Sequence, residues 1–205
     1  GATAMHAALQ SETDLLAWAD YALYRAQRLG RNRVVTQDGP PHSAESRRQP
    51  LKLFENLAAL FSKASNRDRK LQDTAAAIQQ WLGIDVCSLY LLEDRALTLR
   101  ATAGLNPDSV GKVRMTTGEG LTGLVIETMT TVCARDAAKH PRFKYFPETG
   151  EERYGSYLGV PILFESTPLG VVVVQTKAIQ DFGEEDVTVV KTISGFLGGF
   201  LRGYR

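Results

Sequence analysis

The sequence predicts an α+β domain, an antiparallel sheet with helices packed mainly on one face, spanning residues 51–205. The first observation is helical periodicity. Leu53, Leu57, Leu60 and Ala64 recur at spacings of three and four, and a second helical stretch runs over 67–82 to a stop at Gly83. The second is a pair of hairpins. The apolar runs 86–92 and 97–103 flank the turn Glu93-Asp94-Arg95, and 157–164 and 169–176 flank 165–168. Connections this short join antiparallel strands. The third is a terminal helix behind Gly183 and Glu184-Glu185-Asp186, where negative charge suits a helix N-terminus. Antiparallel strands with helices gathered to one side form an α+β layer.

The elements between the hairpins arise from local chemistry. Gly118-Glu119-Gly120-Leu121-Thr122-Gly123 opens a short helix reaching about residue 128, its glycines permitting a tight loop and close approach of helix to sheet. A brief strand at 131–134 precedes a long polar loop ending near Gly155. Pro161 marks its strand as an edge or an end.

Two further zones precede this domain. Residues 1–35 carry Leu15, Leu16, Ala19, Ala22, Leu23 and Ala26 on one helical face, with Gly30 as a stop. Residues 36–50 hold three Pro, one Gly and two Ser with no large apolar residue, so they read as a linker. The chain begins with Gly1 rather than Met, as an excerpt of a longer protein would.

Bulk properties narrow the function classes. The 205 residues carry 24 Lys+Arg against 23 Asp+Glu, so no single-sign field steers the chain toward nucleic acid or an anionic membrane. The Arg28/Arg31/Arg33 and Arg47/Arg48 clusters lack interleaved aromatics and read as solvated surface. Apolar runs fall far short of the roughly 20 residues that span a bilayer. Cys87 and Cys133 each lie in an apolar run, the usage of a reducing compartment, and a cytoplasmic location is expected.

Residues 51–205 resemble a GAF domain over their whole length. The resemblance is carried by Gly118–Gly123, by Asp136-Ala137-Ala138-Lys139-His140-Pro141-Arg142-Phe143, by Gly159-Val160-Pro161-Ile162 and by Leu169-Gly170-Val171-Val172-Val173. Within the family, the run 136–162 looks most like the GAF domain of the nitrogen-branch phosphoenolpyruvate–protein phosphotransferase. That implies a regulatory role answering small metabolites such as glutamine or 2-oxoglutarate. Separately, Ala19-Asp20-Tyr21-Ala22-Leu23-Tyr24-Arg25-Ala26-Gln27-Arg28-Leu29-Gly30-Arg31-Asn32 resembles the C-terminal end of a GGDEF diguanylate cyclase domain. The family usually has Lys where Gln27 stands, which weakens phosphate contact. The cyclase signature loop is missing from this chain.

The GAF resemblance implies that the loop 135–157 is a lid over the open face of the sheet. The candidate ligand-binding residues are Asp136, His140, Arg142, Phe143, Tyr145, Arg153 and Tyr157. Arg142 and Arg153 suit a carboxylate, and Phe143 and Tyr145 suit an apolar wall, so the expected ligand is an amino acid or organic acid. The competing reading gives these side chains structural work, with Asp136 capping the next turn and Arg153 paired to a nearby acid. One His beside Cys133 falls short of a metal site, and no cofactor, metal or catalytic residue is expected. The cyclic-nucleotide and bilin-attachment signatures of some GAF domains are missing. The terminal helix carries Val187, Val190, Ile193, Leu197, Phe200, Leu201 and Tyr204 on one stripe, with Val189 and Phe196 toward another side. Such broad apolar coverage predicts a homodimer through the first and last helices, with Gly195, Gly198, Gly199 and Gly203 letting two backbones approach.

Overall fold

The computed structural model describes residues 50–149 and 154–204. The GGDEF-like segment 1–35, the connector up to residue 49 and Arg153 lie outside the described residues. Helix α1 (Pro50–Ser62) begins on proline, whose fixed φ suits a first turn. Helix α2 (Arg67–Leu82) occupies the predicted span. Asn66 caps it by accepting the Arg69 backbone N–H at 2.8 Å, and Gly83, at φ 61°, ends it in the left-handed region.

Strands β1 (Val86–Glu93) and β2 (Ala96–Ala103) form the first hairpin. Its turn is Asp94-Arg95, both with positive φ, a two-residue turn whose twist matches the flanking strands. β5 (Ser156–Phe164) and β6 (Thr167–Thr176) form the second through Glu165-Ser166 in the same conformation. This turn is shorter than the predicted 165–168. Pro168 joins β6 because it lies beyond Gly170–Gln175, the stretch that pairs with β1, and so owes no second-side hydrogen bond. Pro161 obeys the same rule, since β4 (Val132–Ala134) pairs only with Tyr157–Gly159.

The sheet has six strands in the order β3-β2-β1-β6-β5-β4, every neighbouring pair antiparallel. Strand β3 (Arg114–Thr116) was not expected from the sequence. It is short, and only Met115 of its residues turns inward. Helix α3 (Gly120–Thr128) comes next, and helix α4 (Glu184–Arg202) ends the fold. Asp186 Oδ2 accepts the Gly183 N–H at 3.0 Å at the start of α4, in line with the predicted acidic first turn.

The sheet buries both faces. On one, Leu53, Leu57, Leu71, Ile78, Val190, Ile193 and Leu197 from α1, α2 and α4 pack against Leu89, Leu158, Val160, Val172 and Val174. On the other, Leu121, Val125 and Ile126 of α3 pack against Tyr90, Leu97, Leu99, Tyr157, Val171 and Val173. Successive valines of β6 therefore serve opposite cores, as the alternation of a strand demands. The Gln72 side-chain amide serves the edge of β2 beyond β3. It donates to the Thr102 carbonyl at 2.7 Å and accepts the Thr102 N–H at 3.3 Å.

Two details of α4 correct the sequence reading. Val189 is buried in the helix-side core rather than on a second face. Gly198 lets α4 approach its own sheet, not a second backbone, since a Cβ there would sit 2.1 Å from the Leu163 carbonyl oxygen. Gly199 faces open space. The two positions should therefore answer alanine with opposite signs in urea unfolding. Gly198→Ala overpacks against backbone and should cost about 1–3 kcal/mol. Gly199→Ala should add roughly 0.5–1 kcal/mol through helix propensity.

Candidate functional site

The face opposite α1, α2 and α4 is covered by α3 and by the described part of the loop after β4. This flap makes two single-turn 3₁₀ helices, Ala137–Lys139 and Pro147–Thr149, and comes back to the sheet at Gly155. The backbone ties down both of its ends. Ala137 N–H donates to the Gly155 carbonyl at 2.6 Å, and Gly155 N–H donates to the Thr176 carbonyl at 2.7 Å. Tyr154 Oη reaches the Gly104 carbonyl at 3.1 Å, across the far end of the sheet.

Charged side chains fasten the middle of the flap to the glycine-rich turn before α3. Gly118 and Gly120 both hold positive φ, and Gly123 packs so closely that a Cβ would lie 2.8 Å from the Gly118 backbone. That tight loop presents the Gly118 carbonyl and the Glu119 carboxylate outward. Arg142 donates to the Gly118 carbonyl and pairs with Glu127 at 2.7 Å. Lys144 pairs with Glu119, whose other oxygen accepts the Thr116 N–H at 2.8 Å. These hydrogen bonds hold the Glu119 carboxyl below its ordinary range, the Lys144 contact being the largest influence.

The sequence-predicted site residues thus separate into rim and interior. Arg142 is on the rim, its Nη2 donating to the Gly118 carbonyl and pairing with Glu127. Asp136 does not cap the following turn with its side chain and pairs with Lys139 at 3.0 Å. His140 Nδ1 accepts the Arg142 backbone N–H at 3.2 Å, a local turn contact. Phe143 is exposed and Tyr145 is half-buried, so neither is a fully buried wall. Among the described members of the set Tyr157 alone is in the core, its hydroxyl donating to Thr122 Oγ1 at 3.1 Å. Its ring lies along β5 because Gly159 leaves room, since a Cβ there would meet Tyr157 Oη at 2.4 Å.

The interior holds polar residues that the sequence reading did not single out. Ser88, Thr102 and Gln175 are buried on the flap-side face, by alternation with Tyr90 and Val173. Ser88 Oγ and Thr102 Oγ1 share one hydrogen bond of 2.9 Å across the β1–β2 ladder. The signal was available. A serine midway through Val-Cys-Ser-Leu-Tyr and a glutamine closing four valines interrupt strands otherwise buried on both faces.

Neither cysteine is in an environment that lowers its thiol pKa. Cys87 is in the helix-side core, and burial drives its thiol far up. Cys133 is exposed rather than a core residue, yet partial burial of its sulfur also raises its thiol. Among the described residues no group of three or more His, Cys, Asp or Glu side chains could hold a metal ion, and no helix is long and apolar enough to cross a membrane.

This curled antiparallel sheet, with its glycine turn, short helix and flap, meets its counterpart in a family model. The GAF domain model matches residues 66–200. This chain belongs to the GAF domain family. A GAF domain from a phosphoenolpyruvate-protein phosphotransferase of Coxiella burnetii superposes with a TM-score of 0.72 at 34% identity, covering 76% of this chain and 94% of that one. The phosphoenolpyruvate-dependent phosphotransferase system protein of Escherichia coli K12 is 42% identical over 81 residues, 38% of this chain. The Nif-specific regulatory protein of Azospirillum brasilense is 24% identical over 178 residues, 82% of this chain. The aligned part spans 11% of the first of these two proteins and 28% of the second, so the chain is similar to one piece of each.

Within this GAF domain the flap should behave as a latched element. A carboxyl whose folded pKa lies below its unfolded one stabilises above the unfolded value and loses that contribution as pH falls through the folded value. Amide hydrogen exchange in residues 136–149, corrected for intrinsic rates, should therefore rise as pH drops below the ordinary 4.5 of Glu119. Lys144→Met should show raised exchange already at pH 7 and a flatter acid response. An unchanged acid response in that variant would remove the Glu119–Lys144 pair as the cause.

Proposed function

We propose that residues 50–204 are a regulatory module that binds a small metabolite, an amino acid or organic acid, beneath the flap and passes the change to attached domains. It acts by binding and not by catalysis, in bacterial cytoplasmic signal transduction, and nitrogen-status control of a phosphotransferase is its specific setting. The observation that carries the reading is a buried face lined by Ser88, Thr102, Gln175 and Tyr157 and roofed by a flap held through surface ion pairs. The regulatory setting draws on the named relatives, a phosphotransferase-system protein and a Nif-specific regulator.

A relay to the chain ends has a physical basis. β5 carries Tyr157 toward the flap and, farther along at Pro161 and Leu163, meets α4. Ser194 Oγ donates to the Pro161 carbonyl at 2.6 Å, and Gly198 lies against the Leu163 carbonyl. A shift of β5 on ligand binding would move α4 against α1 and so reorient the domains attached to these helices.

A second reading is favoured by the aromatic stripe on α1 and α4: a ligand-free GAF domain that dimerises or docks, within a cyclic-di-GMP signalling protein if the GGDEF-like segment belongs to such a parent. Phe54 stacks with Phe196, and Phe61 with Phe200 and then Tyr204, yet Phe196 remains 55% exposed and Tyr204 48%. A homodimer through these helices would cover them under either reading.

Thermal melts against an amino-acid and organic-acid panel separate the two. A ligand at about 100 times its dissociation constant stabilises by about 2.7 kcal/mol, a rise in Tm of roughly 5–10 °C for a domain of this size. A flat panel, together with a dimer mass by light scattering that no metabolite alters, would favour the docking module instead.

A further inference from the structure

Gln175 offers a feature that neither the core nor the flap latch uses. Its residue is 7% exposed, and its Oε1 is sealed from solvent with no hydrogen-bond partner among the described residues. It pairs in register with Val86 of β1 and Tyr157 of β5, and it shares the flap-side face with Val173. The flap returns beside it, through the Gly155 N–H that donates to the Thr176 carbonyl at 2.7 Å. The next flap-side position along β1 is Ser88, which forms the hydroxyl pair with Thr102. Those two hydroxyls consume one hydrogen between them, which leaves the second to turn toward an acceptor. A buried carbonyl oxygen left unpaired costs folding stability. Unlike Thr98 Oγ1, which is also without a partner but on the helix side, this oxygen lies on the flap-side face, where a bound molecule could supply the missing donor.

We propose that Gln175 is the specificity-determining residue of the site beneath the flap: its Oε1 accepts a hydrogen bond from an uncharged N–H group of the bound metabolite. The inference rests on the sensing reading above and deepens it. The donor is uncharged because Val86, Ser88, Thr102, Val173 and Tyr157, its described neighbours on this face and its ladder, bring no opposite charge, and burying an unbalanced ammonium would be far costlier. A carboxylate against Oε1 itself is disfavoured for the converse reason, since its oxygens would face Oε1 with no hydrogen between them, so any carboxylate of the ligand must lie elsewhere in the site. An amide or heteroaromatic N–H fits, and an adjacent carbonyl on the same ligand would take the spare hydroxyl hydrogen of Ser88 or Thr102.

Matched probe pairs test this on the full chain: asparagine against aspartate, glutamine against glutamate, and nicotinamide against nicotinate. Melting and calorimetric titration are run on the wild type and on Gln175→Met, which keeps side-chain length and removes the acceptor. In the wild type the amide member of at least one pair should bind and its carboxylate partner should not. In Gln175→Met that affinity should fall about ten-fold or more, the loss of one buried hydrogen bond. The ligand-free variant should melt at the same temperature or higher, because its orphan oxygen is gone. An amide that binds both proteins equally, or a preference for the carboxylate member, would overturn the role of Gln175 and leave sensing intact. A ligand-free variant melting several degrees lower would also overturn it, by revealing a structural partner for the amide. No response to any probe in the wild type would remove the sensing reading and this inference with it.

Discussion

Two hairpins that are each local in sequence become one sheet only through the ladder between β1 and β6, where Val86–Leu91 meet Gly170–Gln175. The contact joins residues more than seventy positions apart in the chain, so its closure entropy must be met by what the ladder buries. The sequence meets it with Val171 to Val174, nearly inaccessible on both faces, set against Cys87, Leu89 and Tyr90. Gly170 marks how close the two strands come, for a Cβ there would lie 2.1 Å from the Tyr90 carbonyl oxygen. Without this ladder neither core has a floor.

That floor has two unlike faces, and the difference comes from what covers each. On the helix side, α1, α2 and α4 bring long apolar stripes, and the few buried polar groups among them are answered locally, Lys70 by the Phe61 carbonyl and Ser194 by the Pro161 carbonyl. On the flap side, one short helix and an irregular loop do the covering. Backbone groups of a loop need partners, and Ala137 N–H and Gly155 N–H find them in the Gly155 and Thr176 carbonyls, while the Tyr154 and Arg142 side chains reach the Gly104 and Gly118 carbonyls along the rim. Of the ion pairs that hold the flap, Arg142–Glu127 is exposed at both ends, at 41% and 50%, and contributes little by itself, while in Lys144–Glu119 the carboxylate is only 24% exposed. The cover is thus fastened by rim contacts that are separate from the opposite core.

The fold was legible because its signals are local and strong. α2 is bracketed by Asn66 and Gly83, and both hairpins are announced by short polar turns between apolar runs. β3 was not legible, since a three-residue strand with one inward side chain has no period to read. The site was legible only as a region. Chemistry-bearing residues such as Arg142 and Asp136 drew attention because they are charged, but charges in a loop find each other, and these are occupied by Glu127 and Lys139. Sequence alone cannot say which of several nearby acids an arginine will meet.

The more informative residues were the quiet ones. A strand position inside a sheet covered on both faces has no solvent to offset the desolvation of a polar group, so Ser88, Thr102 and Gln175 must each be answered within the protein or by something it binds. Ser88 and Thr102 answer each other through one hydrogen bond and leave one hydroxyl hydrogen over. Tyr157, another flap-side hydroxyl, is answered by Thr122. The Gln175 oxygen stands apart from these three, on the strand that holds the two hairpins together and beside the point where the flap returns. A ligand seated there would bear on β5 and β6 at once, and β5 is the strand against which Ser194 and Gly198 of α4 are set. Recognition at that oxygen and displacement of the terminal helix are thus mechanically adjacent, separated by the thickness of one sheet.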